Sequence, residues 1–110
     1  MYLASDKDLD PGKHTHTDQE LTLFTKTLLE QYVWRPVKLS CQGGSDEEAW
    51  TDIAHVKAVR PLEADYCNTD HMYHDFHSTR DTMDKLSLTH MTDYLKLAIS
   101  FVTEMAEPVT

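Results

Sequence analysis

The stretch THMTDYLKLAISFVTEM, residues 89–105, carries the clearest period in the chain. At 100° per residue, Met91, Tyr94, Leu95, Ala98, Ile99, Phe101, Val102 and Met105 fall within about 160° of arc. Thr92, Asp93, Lys96, Ser100, Thr103 and Glu104 cover the rest. This pattern predicts an amphipathic helix closed by Pro108. So wide an apolar stripe suits packing across a sheet face. The helix is therefore expected to anchor the core through Leu95, Ala98 and Val102, and Val102→Asp is expected to unfold the domain.

Upstream, Thr17-Asp18-Gln19-Glu20 matches the capping box, so a second helix is expected from Thr17 to about Tyr32 or Trp34. Leu21, Phe24, Leu28 and Tyr32 make its stripe, and Leu29 widens it. Leu23 and Trp34 project almost opposite, either under a second layer or as an exposed sticky spot. Arg35-Pro36 ends this helix, because the residue before proline resists helical geometry. Val37 to Gln42 reads as a short strand, with Val37, Leu39 and Cys41 on one face. Gln42-Gly43-Gly44-Ser45-Asp46 is a turn. For Trp50 to Arg60 a strand is favoured, because Lys57 would interrupt the apolar face of a helix. Asp65 to His77 reads as a third strand. The predicted fold class is α+β: a three-stranded antiparallel sheet packed by two helices, in the order α-β-β-β-α. Residues 1–16 are expected to be a flexible polar lead-in to a single domain over 17–107.

The 110 residues include ten Lys+Arg against nineteen Asp+Glu, for a net charge of -9. The basic residues are scattered, so direct nucleic-acid binding is disfavoured. No apolar run approaches the roughly 20 residues of a membrane helix. The first ten residues lack the apolar core of a secretory signal, and two cysteines make no disulfide scaffold, so a cytoplasmic location is expected. Neither GxxxxGK[ST] nor GxGxxG occurs, which argues against a phosphate loop. No GxSxG elbow is present, and Cys41 reads as a buried, inert thiol.

Histidine is the residue type most suited to carry chemistry. Asp70-His71-Met72-Tyr73-His74-Asp75-Phe76-His77 places three imidazoles and two carboxylates in eight residues. These are the usual ligand groups for zinc, nickel or manganese. His71, His74, Asp75 and His77 are therefore the candidate metal ligands, with His55 or His90 as further donors. HExxH is absent. His14-Thr15-His16-Thr17-Asp18 resembles the start of the metallo-β-lactamase signature. Gln19 stands where that motif has its second-metal histidine, and a Pro-Gly turn replaces the preceding strand, so the match is rejected.

Two functions follow as expectations. The first is a small acidic non-catalytic protein-binding module: an inhibitor, antagonist or accessory factor of phage or mobile-element type, acting through an acidic, DNA-mimic-like surface. It would need no cofactor, and its partner would be a protein with a basic surface. Asp46, Glu47, Glu48, Asp52, Glu63 and Asp65 would supply the charge, and Trp34, Trp50 and Tyr73 the anchors. The alternative is a metal-binding protein or small metal-dependent hydrolase using segment 70–77.

Overall fold

The computed structural model describes residues 1–5, 16–40, 45–65 and 73–106. Three short strands form one sheet in the order β2-β1-β3. β1 (Tyr2–Ala4) lies at its centre. β2 (Lys38–Ser40) runs parallel to β1, with Leu3 opposite Leu39. β3 (Pro61–Leu62) runs antiparallel, with Leu3 opposite Pro61. The sheet is therefore mixed, which corrects the antiparallel expectation. Parallel neighbours need a crossover between them, and α1 (Gln19–Leu28) lies in that connection. Among the described residues the order is β-α-β-α-β-α rather than α-β-β-β-α.

Residues 2–4 fall within the expected polar lead-in. They contribute the centre of the sheet, and Leu3 and Ala4 are fully buried. Three residues are too few for a visible alternation, and the aspartates that follow mask them.

Asp18, rather than Thr17, caps α1: its carboxylate accepts from the Leu21 amide at 2.8 Å. Thr17 Oγ1 instead donates to the Ala4 carbonyl at 3.2 Å and ties the helix start to β1. The helix continues as a wider turn over Leu29–Val33, where the Trp34 amide donates to the Leu29 carbonyl at 3.0 Å. Thr22 and Thr25 are buried on the inner face beside Leu28, Leu29 and Val33. Their hydroxyls donate to the Asp18 and Leu21 carbonyls, so burial leaves no free donor. Tyr32 and Leu23 are exposed, and Trp34 is 83% exposed, which makes Leu23 and Trp34 the sticky spot of the two alternatives.

The strand expected from Trp50 to Arg60 does not form. α2 (Asp46–Glu48) continues as a wider helical turn over Ala49–Ile53, and the chain then runs without regular structure to β3. The helix ends before Lys57, so the supposed clash with an apolar face never arises. Trp50 and Ile53 are exposed, so there is no buried face to interrupt.

The third predicted strand falls partly outside the described residues; 73–80 is a run of turns. Cys41, Cys67, His71 and the Gly43-Gly44 turn also lie outside them. α3 (Leu88–Met105) forms as expected, capped by the Ser87 hydroxyl, which accepts from the His90 amide. Its packing is reversed. The buried residues are Asp93, Leu97 and Ser100, whereas Leu95 and Val102 are 58% and 62% exposed. The core cluster is Leu3, Leu29, Val33 and Leu97, flanked by Met1, Val37, Leu39 and Val59. Asp93 stays on this inner side because Arg35 Nε donates to its carboxylate at 2.9 Å. No helix among the described residues is long and apolar enough to cross a membrane.

Candidate metal centre

The densest ligand group among the described residues is His16, Glu48 and Asp52, with one donor atom of each within 4.8 Å of the others. Helical geometry explains the carboxylates. Glu48 and Asp52 are four residues apart on the 46–53 turn, so they share a face. His16 is brought to them by backbone tethers. Thr51 Oγ1 donates to the His16 carbonyl at 2.7 Å, and the Asp18 amide donates to the Ala58 carbonyl at 2.8 Å. His16 takes a left-handed conformation, φ 58°, which turns the chain toward α2 just before α1 begins.

The imidazole is largely buried, at 15% exposure. Its Nδ1 lies 2.6 Å from an Asp52 carboxylate oxygen, and its Nε2 lies 3.9 Å from Glu48. Zinc–ligand bonds of about 2.0–2.2 Å place tetrahedral donors roughly 3.3–3.6 Å apart. His16 and Asp52 would therefore separate by about 1 Å to admit an ion, a small side-chain rotation for an exposed carboxylate. Nδ1 faces Asp52 and Nε2 faces Glu48, so the imidazole pairs with both carboxylates, and the three residue types, with one donor atom of each within 4.8 Å of the others, are a group that could hold a divalent cation.

The other candidate residues are dispersed. In segment 70–77, Asp75 is occupied by cations: Lys85 Nζ lies 2.5 Å and Arg80 Nε 2.8 Å from its two oxygens. The hydrogen bonds from Lys85 and then Arg80 hold its carboxyl below the usual range. His74 and His77 are exposed, and the His77 ring stacks on Phe76 at 3.7 Å. His55 is exposed, and His90 lines a cleft of about 510 Å³ with Glu63 and Tyr94 at the start of α3.

The six acidic residues expected to supply the charged surface do not assemble as one surface. Glu47 is buried and pairs with Arg60 at 3.2 Å. Asp65 accepts from the Ser40 hydroxyl at 3.3 Å. Asp46 and Glu63 are exposed. Tyr73 donates to Asp81 at 3.1 Å, and Trp50 stands exposed on the α2 extension. Sequence reasoning missed His16 as a ligand because Glu48 and Asp52 become neighbours only on a helix, whereas the strand expected from Trp50 onward holds Asp52 and leaves Glu48 outside it. The i,i+4 carboxylate pair was the available signal.

No protein-family model matches the chain. A probable leucine aminopeptidase of Arthroderma otae is 29% identical over 92 residues, covering 83% of this chain and 24% of that protein. A probable leucine aminopeptidase of Arthroderma benhamiae is 32% identical over 91 residues, covering 82% and 24%. The crystal structure of the Legionella pneumophila LapA aminopeptidase superposes with a TM-score of 0.80 at 30% identity, covering 99% of this chain and 27% of that one. A second LapA structure gives 0.81 at 28% identity. The chain thus spans about a quarter of the length of the curated relatives it matches. These likenesses overturn the expectation of a non-catalytic inhibitor or antagonist of phage or mobile-element type: what this chain is similar to is part of a leucine aminopeptidase.

Proposed function

We propose that this chain forms one part of an aminopeptidase-type fold and contributes metal-ligating side chains to it. The observation that carries the reading is the superposition on LapA across 99% of the chain at 30% identity. The reaction class is hydrolytic removal of an amino-terminal residue, leucine among them. A divalent ion held by this chain would supply Lewis acidity for the hydrolysis. His16, Asp52 and Glu48 are the residues that would hold such an ion, with the carboxylates on one helical face and the imidazole between them.

The test is calorimetric titration of the untagged chain with zinc, nickel and manganese. One saturable site is expected, abolished by His16→Ala and weakened at least tenfold by Asp52→Asn. Affinity should fall as pH drops, because ligands must lose protons to bind. His77→Ala should leave the affinity unchanged, since its ring stacks on Phe76 and lies outside this group. No saturable binding of any of the three metals would remove the metal-carrying part of this reading.

A further inference from the structure

We propose that the cleft at the start of α3 binds a free α-amino acid, holding its carboxylate and its ammonium group at two separate points. The cleft has a volume of about 510 Å³, within the roughly 300–1,000 Å³ of small-molecule sites. Helical spacing builds one wall. Thr89 and His90 lie four and three residues before Asp93, so all three share a face of α3. Arg35 and Glu63 build the other wall, from the segments next to β2 and β3. Strand direction fixes where they stand. Arg35 precedes β2, which is parallel to β1, and Glu63 follows β3, which is antiparallel, so both lie where β1 begins. His16 lies where β1 ends, since the neighbouring Thr17 hydroxyl donates to the Ala4 carbonyl. The cleft is therefore at the opposite end of the sheet from the metal group.

Unmatched charge identifies the ligand. Asp93 takes the Nε edge of Arg35 at 2.9 Å, and the two terminal nitrogens of the guanidinium have no hydrogen bond among the described residues. Those nitrogens, with the Thr89 hydroxyl beside them in the cleft, are donors for a carboxylate. Glu63 is exposed and makes no ion pair among the described residues, so its carboxylate is an acceptor for an ammonium group. Either charge alone would be an ordinary solvated side chain. What points to a ligand is that opposite charges face one cavity without meeting each other. Asp93 and Glu63 beside the guanidinium disfavour a phosphate or other polyanion, whereas a zwitterion matches both signs. The ligand's side chain also has a place. A second cavity of about 570 Å³ shares Glu63, Ser87, His90 and Tyr94 with the first and adds Leu86 and Met91, each more than half exposed. A neutral amino acid with an aliphatic side chain, such as leucine, fits this combination. The functional reading supplies a source for such a molecule, the residue released by hydrolysis, but the site does not depend on it.

The test is an NMR titration of the full chain with L-leucine in the presence of a chelator, read from the Thr89 and His90 amides. Leucine should shift them saturably. Its methyl ester, which lacks the carboxylate charge, and the deaminated acid, which lacks the ammonium group, should each bind about tenfold more weakly. Glu63→Gln should weaken leucine about tenfold and leave the deaminated acid unchanged. Arg35→Lys, which keeps a cation for Asp93 but gives up the fork, should weaken leucine and leave the methyl ester unchanged. Leucylglycine separates a free amino acid from a peptide, because its carboxylate stands one residue further from its ammonium group, and it should bind more weakly than leucine. No saturable shift up to about 10 mM, where even a weak two-point site fills, would overturn the proposal. So would equal binding of leucine and both analogues, equal binding of leucylglycine, or a Glu63→Gln variant that binds leucine as the wild type does. The chelator keeps the two readings apart: failure here leaves the metal-carrying reading standing, and failure of the metal titration leaves this one.

Discussion

α3 has two sides, and they differ in what they touch. One side carries Asp93, Leu97 and Ser100, which are buried against the Leu29–Val33 turn and β1. The other carries Leu95, Ile99 and Val102, which are more apolar and more than half exposed. Side-chain chemistry alone would assign these sides the other way round. What reverses them is partner supply. Asp93 has Arg35, and the Ser100 hydroxyl donates to the Leu97 carbonyl at 3.0 Å, so both polar groups are satisfied in place. The apolar arc has no such counterpart among the described residues.

The sharpest way to break this contrast is to truncate one residue on each side. Leu97→Ala should cost about 2–4 kcal/mol, because it leaves a cavity in a cluster that counts four buried side chains among the described residues. Val102→Asp, expected from the sequence to unfold the domain, should cost less than about 1 kcal/mol at an exposed helical site. Urea denaturation of both variants measures the difference. Equal losses, or a larger loss at Val102, would mean that the outer side of α3 is the one that folds.

How much of this was legible in the sequence depends on whether a signal is local. The helix at 88–105 was readable because it has five turns of period, and so was the helix that starts beside the Asp18 cap. β2 was readable from Val37 and Leu39 before a turn. β1 was not, since three residues carry no period and their burial depends on strand partners 36 and 58 to 60 positions away. The side on which α3 packs was equally hidden: periodicity finds an apolar arc but not what faces it. The metal group escaped for a related reason, because His16 is separated from Glu48 and Asp52 by the whole of α1 and β2. Segment 70–77 looked stronger because its ligand types are adjacent in sequence, yet Lys85 and Arg80 reach back to claim Asp75.

A second substitution sharpens the account of the inner side. If Asp93 is tolerated only because of Arg35, Arg35→Ala should destabilise by about 1–2 kcal/mol, tempered by the guanidinium's partial exposure. Adding Asp93→Leu should recover most of that loss, since an apolar isostere asks for no partner. Thermal melts of the two variants check this. A double variant no more stable than Arg35→Ala alone would show that the carboxylate has a role beyond its ion pair.

The smallest expected effect lies at the rim between the two sides, where Tyr32 donates its hydroxyl to Glu104 in the last turns of α3. This hydrogen bond, and then the negative charge of Glu104, push the Tyr32 phenol above its ordinary value. The phenol donates only while protonated. A group whose value is raised on folding contributes stability that is fully present below its unfolded value of about 10, and loses it as pH rises through the folded one. The tie should therefore hold at neutral pH and open in alkali. Both side chains are exposed, so global unfolding should barely register the change. Ring-carbon NMR of labelled tyrosine resolves it directly: Tyr32 should titrate later in the wild type than in Glu104→Gln, whose neutral amide removes the charge. Coincident titration curves would mean that α3 and the end of α1 are not tied at this point in solution. The inner packing of Leu97 against Leu29 and Val33 would then hold the two helices together without help from the rim.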